Sequence, residues 1–156
     1  MKVLMVCLGN ICRSPIAEGV LQHKANLAGL QWVVDSAGTN GFHVGEAPHP
    51  LSQKVAKSNG IDISSQVSRQ FIREDFKNFD LIFAMADDVL LDMKRIGIDQ
   101  FDDKKTSLFL DPLYPGKHKN VPDPWYGSED GYIEVFELIN KGCDAIIQQY
   151  STKEKL

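Results

Sequence analysis

A continuous apolar run, Val3 to Leu8, breaks off at Gly9-Asn10, and Arg13-Ser14-Pro15 then opens an amphipathic pattern. A run that is apolar on both sides belongs in a parallel sheet covered on both faces. Proline tolerates the first helical position and serine caps it, so a helix starts here with Ser14 as its N-cap. Its apolar stripe is Ile16, Ala17, Val20, Leu21, Ala25 and Ala28, and Gly29 closes it. The rest of the chain repeats the alternation. Trp32–Ser36 reads as a strand, Leu51–Asn59 as a helix closed by Gly60, and Asp80–Met85 as a third strand. Asp87–Ile96 reads as a helix ended by Gly97, and Thr106–Leu110 as a fourth strand. A last helix puts Tyr132, Val135, Phe136, Ile139, Cys143, Ile146, Ile147 and Tyr150 on one face. Such alternation needs crossovers onto a parallel sheet. The expected fold is therefore α/β: a single three-layer domain over residues 1–156, with a four-stranded parallel sheet and helices on both faces. Sheets of this kind bind ligands beyond the carboxyl ends of their strands. The loop leaving the first strand is the place to look.

Composition narrows the classes of function. With 43% apolar and 24% charged residues, the chain has an ordinary globular mix and is neither disordered nor a coiled coil. No apolar run reaches the roughly 18–20 residues that span a bilayer, and no signal-peptide pattern precedes the first strand. A cytoplasmic protein without membrane contact is expected. The net charge of −4 gives no reason to expect nucleic acid as a partner. Residues 1–78 carry 8 basic and 6 acidic side chains while residues 79–156 carry 9 and 15, so an anion site belongs more naturally in the first half. Three cysteines are an odd count and too few for a disulfide framework, and with no C-x-x-C pair among them there is no sign of a zinc or thioredoxin-type site. Cys143 reads as a small buried hydrophobe. His23, His43, His49 and His118 show no ligand spacing, so no metal and no cofactor are expected; His43, next to Phe42, reads as a rim residue if a pocket lies there.

The loop is Cys7-Leu8-Gly9-Asn10-Ile11-Cys12-Arg13-Ser14. A strand, a tight turn and a helix N-terminus make an anion cradle of backbone N–H groups, with the helix dipole behind it. Gly9 and Asn10 are residue types that tolerate the left-handed backbone a tight ring requires. Arg13 supplies a planar fork for two oxygens of a phosphoryl group. The Lys of the nucleotide-binding G-K-[ST] loop is absent. Cys7, facing these donors, is expected to ionise near neutral pH and act as a nucleophile, with Ser14 donating its hydroxyl to the thiolate. Cys12 lies in the same ring, so a reversible Cys7–Cys12 disulfide that protects an oxidised Cys7 is also expected.

The segment C-L-G-N-I-C-R-S-P resembles the phosphate-binding loop of the low-molecular-weight protein tyrosine phosphatases. The resemblance extends to Asp35-Ser-Ala-Gly-Thr39, Val44-Gly45, Asp75-Phe76, Phe79-Asp80, Met85 and Asp123-Pro-Trp-Tyr126, and so covers nearly the whole chain. It implies a four-stranded parallel sheet and hydrolysis of phosphotyrosine in protein substrates, and of small aryl phosphates, through a cysteinyl-phosphate. A monomer or weak dimer is expected. Two Asp-Pro pairs offer the acid that a leaving phenolate needs, Asp111-Pro112 and Asp123-Pro124, and the residues alone do not separate them. The longer loop with Gly116, Pro122 and two aromatics favours Asp123; the resemblance assigns it, since family members carry the general acid in an Asp-Pro-aromatic motif. It also implies Asn10, Ser14 and Ser36 as a supporting network, and Phe42, Trp125 and Tyr126 as walls of an aromatic slot. Many members carry an acidic residue directly after the methionine of the third strand. Here Ala86 follows Met85, and Asp87 reads as a helix cap.

Two other functions fit such a loop. Some arsenate reductases share it but relay electrons through further cysteines near the third strand, and residues 80–100 contain none. A non-catalytic phospho-ligand module would lack Cys7, Arg13 or Asp123, and all three are present.

Overall fold

The computed structural model describes the chain except Tyr126 and Leu156, and except the side chains of residues 153–155. Strands β1 (Lys2–Cys7), β2 (Val33–Gly38), β3 (Leu81–Ala84) and β4 (Thr106–Leu108) form one sheet in the order β2-β1-β3-β4, all parallel. Helices α1 (Arg13–Leu27) and α5 (Glu129–Lys155) cover one face, where Val3, Met5, Val20, Leu21, Phe83, Ile139, Cys143 and Ile146 are buried together. Helices α3 (Asp75–Asn78) and α4 (Asp87–Gly97) cover the other, against Leu4, Val6, Ile82 and Ala84. Helix α2 (Pro50–Ser58) packs beside α1 and α5. Alternate residues of β1 thus enter opposite cores, which is why its sequence shows no polar face. The chain leaves β1 for β2 on one side and later returns to β3 on the other. The switch in strand order lies at the carboxyl ends of β1 and β3, where Cys7 pairs with Gly38 and Val6 with Ala84. None of the described helices is long and apolar enough to cross a membrane.

Several local expectations are corrected. The first helix begins at Arg13 with Cys12 in the cap position, so Ser14 is not its N-cap; the Ser14 hydroxyl is engaged elsewhere. Asp87 is likewise no cap. Ala86 occupies that position, and the Asp87 N–H donates to the Asn120 side chain at 2.9 Å. Helix α4 does end at Gly97, with φ −74° there and the positive φ of 50° falling on Ile98. Gly97 is small because a Cβ there would stand 2.4 Å from the Phe76 ring. Of the loop pair Gly9-Asn10, only Asn10 has a left-handed backbone, with φ 57°. The strands are also displaced, since β2 runs on to Gly38 and β4 stops at Leu108. The short helix α3 and a 3-10 turn at Ile98–Gln100 had no clear sequence signal.

Candidate active site

The loop between β1 and α1 is shaped by where its carbonyls go. Thr39 N–H donates to the Cys7 carbonyl at 3.0 Å, Asn40 N–H to Leu8 at 2.9 Å, and His49 N–H to Ile11 at 2.8 Å. The Ser68 and Ser52 hydroxyls donate to the carbonyls of Gly9 and Cys12, each at 3.1 Å. Every one of these partners lies outside the loop. In a trans peptide the N–H points opposite to the C=O, so tying the carbonyls outward turns the N–H groups inward. The Asn10 N–H shows the result, donating to Cys7 Sγ at 3.3 Å. The cradle is therefore made by the surrounding chain as much as by its own residues. Gly38 is part of that enclosure: a Cβ there would stand 2.9 Å from Gly9 C and Leu8 O and 3.0 Å from Asn10 N.

Cys7 is 2% exposed at the base of a pocket of about 350 Å³. Its Sγ lies 2.9 Å from Ser14 Oγ. Asn10, whose backbone is left-handed, donates from Nδ2 to Ser14 Oγ at 2.8 Å and to Ser36 Oγ at 2.9 Å. Asn10, Ser14 and Ser36 are thus brought together. Arg13 is buried, and its Nη1 donates to the Val121 carbonyl at 3.1 Å. Its Nη2 lies 3.7 Å from Asp123 Oδ2. Val121 N–H is itself tied to Met85 O at 2.8 Å, so the loop carrying Asp123 is anchored to the end of β3. Asp123 also accepts the Trp125 N–H at 3.0 Å. Asp111, the other Asp-Pro candidate, sits in a separate cavity with Ser107, Gln149 and Tyr150. The two aspartates that the residues alone could not separate are thus separated in space.

Leu8, Ile11, Phe42, His43 and Trp125 line the pocket with Cys7, Arg13 and Asp123. Phe42 stands 85% exposed at the mouth. Tyr126, the third expected wall, lies outside the described residues. His43 accompanies Phe42 at the rim, its ring 5.4 Å from that of Trp125. His49 packs edge-on against Trp125, also at 5.4 Å, and stacks on Tyr132. Burial lowers the His49 pKa, which favours the neutral imidazole that accepts the Leu51 N–H. Cys12 is buried with Sγ 3.6 Å from the Tyr132 hydroxyl, and burial pushes its thiol up to about 11. All three cysteines are free thiols.

Two further polar residues, Arg69 and Glu18, contact Asn10 and Ser36 without having been singled out by the sequence. Arg69 donates its backbone N–H to Asn10 Oδ1 at 3.0 Å, and its guanidinium pairs with Asp35 and Asp75 at 3.1 Å each. Glu18 accepts the Ser36 hydroxyl at 2.7 Å, and burial raises its carboxyl to about 7. Arg69 is 59 positions from Asn10 along the chain, and no local pattern joins them. Glu18 carried a weak signal, a lone acid one turn after Ser14 on the first helix. Among the described residues no cluster of His, Cys, Asp or Glu could hold a metal.

A profile of the low molecular weight phosphotyrosine protein phosphatases matches residues 2–156. The low molecular weight phosphotyrosine protein phosphatase of Schizosaccharomyces pombe is 44% identical over 138 residues, 86% of this chain and 87% of that one. The crystal structure of a protein tyrosine phosphatase from Entamoeba histolytica superposes with a TM-score of 0.87 at 37% identity, covering 100% of this chain and 99% of the other. YwlE, an arginine phosphatase of Bacillus subtilis, superposes at 0.88 with 25% identity over 99% of each chain, in a cysteine-to-serine mutant whose active-site serine is phosphorylated.

Proposed function

The chain belongs to the low molecular weight phosphotyrosine protein phosphatase family and is a hydrolase of phosphate monoesters, and on that premise we propose that it removes phosphate from phosphotyrosine in proteins through a cysteinyl-phosphate on Cys7. The observation that carries this reading is that Cys7, the Arg13 guanidinium and the Asp123 carboxylate line one pocket. Cys7 attacks phosphorus as the thiolate, with Ser14 and the Asn10 N–H donating to its sulfur. Arg13 and the inward N–H groups of Leu8 to Ser14 hold the non-bridging oxygens and supply the charge stabilisation of the transition state. Asp123 protonates the departing phenolate, then takes a proton from the water that cleaves the S–P bond and regenerates Cys7. The phosphorylated serine in the YwlE mutant supports a covalent phosphoryl intermediate at this position.

The leaving group is read from the walls. Leu8, Ile11, Phe42 and Trp125 offer apolar surface and π-faces suited to a phenyl ring. Phosphoarginine is the second reading, favoured by the likeness to YwlE. A guanidinium leaving group needs hydrogen-bond acceptors, and Asp123 is the only carboxylate among the described lining residues. Arsenate reduction would have to route electrons through Cys12, because Cys143 is fully buried on α5. We place the enzyme in the cytoplasm as a monomer or weak dimer that needs no cofactor.

The test compares hydrolysis of phosphotyrosine peptides, hydrolysis of phosphoarginine peptides and reduction of arsenate with thioredoxin as the reductant, using wild type and Cys7→Ser. The reading requires tyrosine to lead by at least about tenfold in kcat/KM, roughly 1.4 kcal/mol of transition-state preference. It also requires Cys7→Ser to be inactive while folded. A lead for phosphoarginine or arsenate overturns it.

A further inference from the structure

The hydrogen bonds behind Cys7 run in one direction. Asn10 Oδ1 accepts the Arg69 N–H at 3.0 Å, and a backbone N–H can only donate, so the amide orientation is fixed. Both Nδ2 hydrogens then go to Ser14 Oγ and Ser36 Oγ. Each serine has one hydrogen of its own left to give. That of Ser14 goes to Cys7 Sγ, 2.9 Å away, when the sulfur is a thiolate and so can only accept. That of Ser36, which is 4% exposed, goes to Glu18 Oε1 at 2.7 Å. Glu18 is thus the acceptor at the far end of a chain whose other end is the nucleophile.

Resting on the phosphatase reading above, we propose that Glu18 is a positioning residue for the nucleophile: by taking the Ser36 hydroxyl hydrogen it keeps the Asn10 amide in the one orientation that leaves the Ser14 hydrogen for Cys7. Without an acceptor at position 18, the buried Ser36 hydrogen has the Asn10 amide as its partner. The amide can accept it only by turning its oxygen over. Ser14 would then donate to Asn10 rather than to the sulfur, and the thiolate would lose its strongest neutral donor. An unsatisfied buried hydroxyl is unfavourable enough to compete with the Arg69 N–H that holds the amide in place.

The acceptor role does not require a charge. A protonated carboxyl keeps its carbonyl oxygen, so the relay holds on both sides of the Glu18 titration. The charged groups facing Glu18 are Asp35 on β2, which holds its proton on, and Arg69, which favours its release; Arg69 is in turn neutralised by Asp35 and Asp75. Glutamine should therefore replace glutamate, and alanine should not.

The experiment follows alkylation of Cys7 against pH, read on the Cys7 peptide by mass spectrometry, which needs no phosphatase activity. Melting temperature and kinetics on an aryl phosphate are measured in parallel. Glu18→Ala is expected to move the half-reaction pH up by about one unit, a roughly tenfold loss of thiolate at fixed pH. It should lower kcat by about tenfold with KM changed less than about twofold. Glu18→Gln should stay within about 0.3 unit of wild type in the same titration. Adding Ser36→Ala to Glu18→Ala removes the stranded hydrogen, so the double variant should recover part of the loss, a coupling that a merely structural role does not produce. An unshifted Glu18→Ala, a Glu18→Gln as impaired as alanine, or a double variant no better than Glu18→Ala each overturns the proposal. A wild type inactive on phosphotyrosine would overturn the phosphatase reading alone, because the alkylation shifts would remain.

Discussion

Asp123 faces the Arg13 guanidinium across the pocket at 3.7 Å, from a carboxylate about one-third exposed to an arginine almost wholly buried. Arg13 is the group that would hold phosphate, so the carboxylate competes with any anion that enters. Asp123→Asn should therefore tighten inhibition by inorganic phosphate near neutral pH by about threefold to tenfold, as expected for removing one nearby charge at a partly screened distance. The same change should lower kcat on phosphotyrosine by on the order of 10² to 10³, the usual worth of a general acid. It should also abolish the alkaline limb of the pH–rate profile when the leaving group needs no proton. An alkaline limb that persists would assign the acid to another residue.

Gly38 and Gly97 make a paired test of site against scaffold. A Cβ at Gly38 would press on three backbone atoms of the loop between β1 and α1, whereas one at Gly97 would press on the Phe76 ring in the opposite core. Both alanine variants should lose stability by about 1–3 kcal/mol in urea unfolding, the usual cost of overpacking. Only Gly38→Ala should also lose turnover, by at least about tenfold, because even a small displacement of positioned groups costs rate. Equal kcat in the two variants would show that β2 does not hold the loop in shape.

Glu18 makes stability depend on pH in a stated direction. Its carboxyl is raised from 4.5 to about 7, chiefly by burial. The folded state therefore holds this proton more tightly than the unfolded chain. The resulting stability is fully present below pH 4.5 and is lost as pH rises through about 7. Glu18→Gln cannot ionise, so it should gain on wild type by up to about 3 kcal/mol between those limits. Denaturant melts at pH 4.5 and pH 8 measure the difference, and a constant gap between the two proteins would refute it.

Cys12 is the thiol expected to capture an oxidised Cys7. The step is Cys7–SOH plus HS–Cys12 giving a disulfide and water. With its thiol pushed up to about 11, Cys12 supplies little thiolate near neutrality, so capture should quicken as pH rises from 6 to 9. After peroxide and then dithiothreitol, wild type should recover most of its activity and Cys12→Ser little. Equal recovery, or no linked Cys7–Cys12 peptide, would remove the switch.

The sequence by itself determined the parts of this protein that are local or periodic. The unbroken apolar run of β1 required a sheet covered on both sides, and the residues from Cys7 to Ser14 marked the loop at its end as the candidate anion site. The helical face from Tyr132 to Ile146 required burial, and it is buried. Those signals survive because periodicity and neighbouring residues are written in the order of the chain. Tertiary structure decided what depends on distant segments meeting. It put Asp123 opposite Arg13 and Asp111 in another cavity, although both begin with the same Asp-Pro pair. It took Ser14 away from capping a helix because Asn10 and Cys7 satisfied its hydroxyl first. It joined Arg69 to Asn10 and Glu18 to Ser36, since a buried polar atom must find a partner wherever the fold places one, at whatever separation along the chain.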